Sequence, residues 1–150
     1  MSQFRTTLRT KQRIMHSTNY YNHFIQVAED CPASEAQVPP LRGEKKSVAN
    51  YQFDMVIDHP YEYTSDEVIF TVYAIRKGIS KADWEEERIK FFSKGQPCFR
   101  ASPLTKRYGW GLHSNAEGKI ALYPLGGEEY QQFVEDSEVD KALAMRSKRK

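Results

Sequence analysis

From Asn19 to Glu29 apolar and polar positions alternate. Tyr21, His23, Ile25 and Val27 fall on one side, with Asn22 and Gln26 on the other. Period two with aromatic and β-branched residues predicts a strand, with Phe24 on its opposite face. Asp30 to Lys46 holds Pro32, Pro39, Pro40 and Gly43, which predicts a long surface loop. The period then changes. Ser47 stands at a helix N-cap, and Val48, Tyr51, Phe53, Met55, Val56 and Ile57 spread around a buried helix to about Asp58. His59-Pro60 stops it, because the residue before proline avoids the α region. Thr64 and Glu67 have capping-box spacing, and the helix they open runs through Val68, Ile69, Val72, Tyr73 and Ile75 to Arg76-Lys77-Gly78. The same logic repeats from Ser80: Asp83 takes N3, and Ile79 and Trp84 have hydrophobic-staple spacing. That helix closes at Ser93-Lys94-Gly95.

The C-terminal third is patterned differently. Pro97 to Ala101 suggests a short strand. Gly109 to Ser114 and Lys119 to Tyr123 form a hairpin pattern around Asn115-Ala116-Glu117-Gly118. Trp110, Leu112, Ile120 and Leu122 share its core face, with His113 opposite. Glu128 to Asp136 predicts a helix with Tyr130, Phe133 and Val134 inward, and Ser137 opens a final helix to about Met145. The expected class is α+β: a small antiparallel sheet, made of the N-terminal strand plus the C-terminal hairpin, packed with about five helices. One domain is expected over residues 15–145, between a basic extension (residues 1–14) and a basic tail (residues 146–150).

Composition narrows the class. The chain has 150 residues, 39% hydrophobic, with 8 Phe, 9 Tyr and 2 Trp, so its core is rich in rings. No stretch approaches the ~20 apolar residues that span a bilayer, so no membrane partner is expected. Two cysteines exclude a disulfide framework and a four-thiolate zinc site. Net charge is +2, unevenly distributed. Residues 1–14 and 141–150 carry bases and no acids, residues 51–92 and 127–140 are acidic, and residues 93–126 hold Lys94, Arg100, Lys106, Arg107 and Lys119 against Glu117 alone. The Arg-rich, acid-free start has the composition of a mitochondrial transit peptide, or of an extension upstream of a start at Met15. Free cysteines and the lack of a secretory signal make the cytoplasm the expected compartment, with the mitochondrion the alternative if residues 1–14 are cleaved.

The run Ser93-Lys94-Gly95-Gln96-Pro97-Cys98-Phe99-Arg100-Ala101-Ser102-Pro103-Leu104-Thr105-Lys106-Arg107-Tyr108-Gly109-Trp110-Gly111 resembles the signature of a family of small domain-of-unknown-function proteins. Met15–Tyr20, Val27–Pro32, Asp58–Asp66 and Ala144–Lys150 are similar to it as well. The resemblance covers about residues 15–150 and implies relatives in bacteria and fungi. It favours Met15 as the ancestral start and brings no catalytic residues with it.

Candidate chemistry therefore comes from the residues alone. Arg100 to Tyr108 gathers three cations, two hydroxyls and a phenol without an acid. Arginine forks and hydroxyls suit phosphate or carboxylate. Ser102-Pro103 suits the start of a short helix with free N–H groups for an anion. The expected ligand residues are Arg100, Ser102, Lys106, Arg107, Tyr108 and Trp110, joined by Tyr61 and Tyr63 if the two loops meet. The plainer alternative is a surface loop whose cations pair with the acidic helices. Cys98 with His113 would form a nucleophile–base dyad, and His59 with Glu62 a proton-transfer pair. Against these stand a cysteine packed as a small hydrophobe and an interhelical corner of backbone-bonded phenols. The histidines and cysteines lack metal-ligand spacing, so no metal and no cofactor are expected. Three function classes follow: a module binding a small anionic ligand or an acidic partner, an enzyme, and a nucleic-acid binder. The last is disfavoured because acidic segments nearly cancel the basic ones. Oligomeric state is left open.

Overall fold

The computed structural model describes residues 15–148. The basic extension of residues 1–14 lies outside the described residues, as do Arg149 and Lys150. Strand β1 (His23–Gln26) is followed by helices α1 (Val48–Ile57), α2 (Ser65–Lys77) and α3 (Trp84–Phe91). The short helix α4 (Pro103–Lys106), the hairpin β2 (Trp110–Ser114) and β3 (Ile120–Pro124), helix α5 (Glu128–Glu135) and strand β4 (Asp140–Leu143) complete the fold. This is an α+β architecture with a small four-stranded sheet in the order β3-β2-β1-β4.

The sheet is mixed rather than antiparallel. β1 pairs antiparallel with β2 and parallel with β4. β4 occupies the stretch that the sequence pattern assigns to a final helix. Its partner explains the difference, because the outer edge of β1 presents backbone groups that need pairing. Asp140 N donates to Asn22 O, and Ala144 N donates to Gln26 O. Asp140 and Lys141 make a short charged edge that resists further strand addition. Pro97 to Ala101 is not a strand, because Phe99 O is taken locally by Ser102 N and Thr105 Oγ1. It folds instead through a 3-10 turn (Phe99–Ala101) with Phe99 buried.

The helix signals are realised locally. Thr64 accepts from Glu67 N while the Glu67 carboxylate accepts from Thr64 N, and Gly78 ends α2 in the left-handed region at φ 70°. Ser47 forms a second capping box with Asn50. Ser80 makes no side-chain cap. A 3-10 turn (Lys81–Asp83) intervenes, and the Trp84 indole N–H donates to Ile79 O.

Both faces of the sheet are covered. Ile25, Leu112, Ile120 and Leu122 join Phe53 and Val56 of α1 and Val68 of α2 in the main core. On the other face Phe24 packs against Tyr130 and Phe133 of α5, and His113 stacks on Phe133 with centroids 4.1 Å apart. Phe70, Ala74 and Phe92 form a second cluster between α2 and α3.

Candidate functional site

The segment from Cys98 to Tyr108 runs as 3-10 turn, N-cap, α4 and loop, which separates its side chains. Ser102 caps α4: its Oγ accepts from Leu104 N, and its hydroxyl donates to Gln52 Oε1 at 2.6 Å. The start of this one-turn helix is thereby satisfied from within, and Ser102 is buried. Thr105 is also buried and donates to Phe99 O. Arg100 spends its Nε on Leu143 O at 2.7 Å and lies beside Tyr20 and His23.

Lys106 and Arg107 project elsewhere. They share a hollow of about 320 Å³ with Ala101, Pro103 and Ser147. Arg107 also borders a second hollow of about 220 Å³ beside Arg42, Gln37 and Tyr108. Among the described residues neither cation is in an ion pair, whereas Lys46 pairs with Asp54, Lys90 with Glu87 and Arg146 with Glu29. The third side of the larger hollow is held by the C-terminal segment. Asp30 accepts from the backbone N–H groups of Ser147 and Lys148, which hold its carboxyl below the ordinary range. The Ser147 amide is thus committed, and Ser147 lines the hollow beside the two cations.

The aromatic residues divide into two groups. Trp110 is buried, packs on Phe53 and donates from Nε1 to Gln37 O, while Tyr108 O accepts from Gln37 N. These bonds hold the 30–46 loop against the sheet. Tyr61 lies near the other end of the hairpin. Its hydroxyl is 2.8 Å from both His113 Nδ1 and Tyr123 Oη. Burial and the Tyr123 hydroxyl push the Tyr61 phenol well above its ordinary pKa, and burial pushes the His113 imidazole down. Both groups are thereby kept neutral. Tyr61 adopts φ 61°, uncommon for a residue with a β-carbon, and its N–H donates to Ile120 O. Tyr63 lies against the His59 ring at 6.0 Å.

The enzyme candidates distribute as follows. His59 Nδ1 meets Glu62 Oε2 at 2.9 Å on an exposed corner. Cys98 and His113 are engaged separately, Cys98 Sγ by the Tyr20 hydroxyl at 3.4 Å and His113 by Tyr61. Cys98 instead lines a cleft of about 360 Å³ between α1, α2, α3 and the 96–103 segment. Its surface is mainly apolar, with Gln52, Gln96 and Arg76 as polar groups. Sequence reasoning missed this cleft, because its walls come from four separate stretches. Among the described residues no three His, Cys, Asp or Glu side chains form a metal-ligand group, and no helix is long and apolar enough to cross a membrane.

Two motifs of the resemblance meet at the N-terminus of α2. The Asp66 carboxylate accepts from Ser17 Oγ, Thr18 N and Thr18 Oγ1, each at 2.7 Å, and Asp66 N donates to Asn19 Oδ1. The Met15–Tyr20 and Asp58–Asp66 stretches therefore have a structural task in common. No curated protein and no solved structure matches the chain. Residues 15–150 match a family described as being of unknown function, DUF6157, and the chain belongs to that family.

Proposed function

We propose that the protein is a binding module for a small anionic ligand, a phosphate or a carboxylate, seated in the hollow of Lys106, Arg107 and Ser147. The observation that carries this reading is the pair of adjacent cations at the wall of a concave site, neither of them in an ion pair among the described residues. Their chemistry is complementary to an anion: a guanidinium fork, an ammonium and a hydroxyl all donate. Arg107 borders both hollows, so a ligand with two charged groups would also engage Arg42 and Tyr108. Arg100 and Ser102 support the segment from behind through Leu143 O and Gln52. Trp110 fixes the loop that carries Gln37.

The test is calorimetric titration with inorganic pyrophosphate. Saturable binding is expected, weakened about tenfold or more in Lys106→Ala and in Arg107→Ala, as loss of a charged hydrogen bond implies. Both residues are at the surface or half-buried, so the variants should fold normally. Equal heats in wild type and both variants would reject the site. Binding of a DNA oligonucleotide with a steep salt slope and no response to pyrophosphate would assign the cations to nucleic acid instead.

A further inference from the structure

We propose that the cleft between α1, α2 and α3 is a second small-molecule site, which takes a carboxylic acid with an apolar body. This goes beyond the basic hollow and does not rest on it. The cleft, at about 360 Å³, lies within the range of small-ligand pockets. Val48, Ile69, Val72, Tyr73 and Phe91 supply apolar walls from three helices.

One largely buried polar side chain lines the cleft. Gln52 is only 6% exposed, and its amide lines the cleft. Ser102 Oγ already accepts from Leu104 N, so its proton goes to Gln52 Oε1, and this fixes which way the amide faces. The Nε2 end is then left to the cleft, and among the described residues no acceptor meets it. That end of the amide faces the open cleft, where a ligand oxygen can take the place of solvent as its acceptor. Charge points the same way. Arg76, on the last turn of α2, lines the cleft, and among the described residues it makes no ion pair. It also borders a neighbouring depression lined by Glu44, Lys45 and Lys46, of which Lys46 is paired with Asp54. Arg76 is therefore the one charged group lining the cleft, whose interior is mainly apolar with the Gln52 amide at its wall. An acid fits this arrangement with its carboxylate at Arg76, its chain among the helices and an oxygen substituent at Gln52.

Octanoate and its neutral analogue octanamide serve as probes, titrated calorimetrically into the full chain. Octanoate should bind at one site, about tenfold more tightly than octanamide. Arg76→Gln, at an exposed position, should erase that preference. Ile69→Trp should fill the cleft and remove binding of both probes. Lys106→Ala should leave octanoate binding unchanged, which separates this site from the basic hollow. A second readout covers the case in which Ile69→Trp does not fold: in Cys31→Ser protein, octanoate should slow the reaction of the Cys98 thiol with a disulfide reagent. The proposal is overturned if octanoate neither saturates nor shields Cys98. It is also overturned if octanamide binds equally well, which would mark a neutral apolar guest. A concentration-dependent dimer dissociated by octanoate would put a second copy of the chain in the cleft and overturn it too.

Discussion

Gly111 sits on β2 where Phe24 and the α5 ring Tyr130 close over the sheet. A Cβ there would lie 2.5 Å from Phe24 Cζ and 2.7 Å from Tyr130 Cε2. Both rings are buried, and the Tyr130 hydroxyl is held by Val27 N, so neither can swing away cheaply. Gly111→Ala should therefore destabilise the fold by about 1–3 kcal/mol, the usual cost of overpacking, as read by the shift of the urea midpoint. An unchanged midpoint would mean that α5 can lift off the sheet. Gly109 is constrained twice, by φ 80° and by Glu35 O at 2.8 Å from a built Cβ. The Trp-Gly alternation was visible in the sequence as strand character. The requirement for glycine was not, because the rings that impose it come from residues 24 and 130.

At the scale of elements, α2 shows what local chemistry can specify. Its capping box, its acidic first turn and its left-handed Gly78 are read within one run of sequence, and the helix forms as that run predicts. What anchors it is not local. Asp66 takes three hydrogen bonds from residues almost fifty positions earlier, and it is 8% exposed. Asp66→Ala would strand the Thr18 amide and leave its hydroxyl only Ser65 Oγ, so a loss of about 1–3 kcal/mol is expected, with faster hydrogen exchange of the Thr18 amide. Retention of wild-type protection at Thr18 would refute this anchoring role. β4 is the opposite case. Its residues Asp140, Lys141, Ala142 and Leu143 favour a helix over a strand, and pairing with the edge of β1 overrides that local preference.

For the molecule as a whole, the sheet places two histidines where burial opposes their charge. His23 is 8% exposed, stacks on Tyr20 and leaves Nδ1 without a partner. Burial lowers its pKa, with Arg100 acting in the same sense and Asp140 opposing. Burial likewise lowers that of His113, again against a nearby carboxylate, Asp136. Below the unfolded value of about 6.5 the unfolded chain takes up protons that the fold resists. Stability is then full above that pH and is lost as pH falls through the lower folded values. The urea midpoint should drop between about pH 7.5 and 5.5, and His23→Phe should flatten the decline. A slope that His23→Phe leaves unaltered would remove His23 as its source. Residue order was enough for the helices capped by Ser47 and Thr64, for the hairpin and for the α+β class, because each rests on hydrogen bonds or periodicities spanning a few neighbours. It also singled out the cationic stretch from Arg100 to Tyr108. Three-dimensional packing sorted that stretch, sending Ser102 to an apolar cleft, Arg100 to a strand carbonyl and Lys106 with Arg107 to an open hollow. Those fates depend on Gln52, Leu143 and Ser147, and long-range partners of this kind leave no periodic trace in the chain.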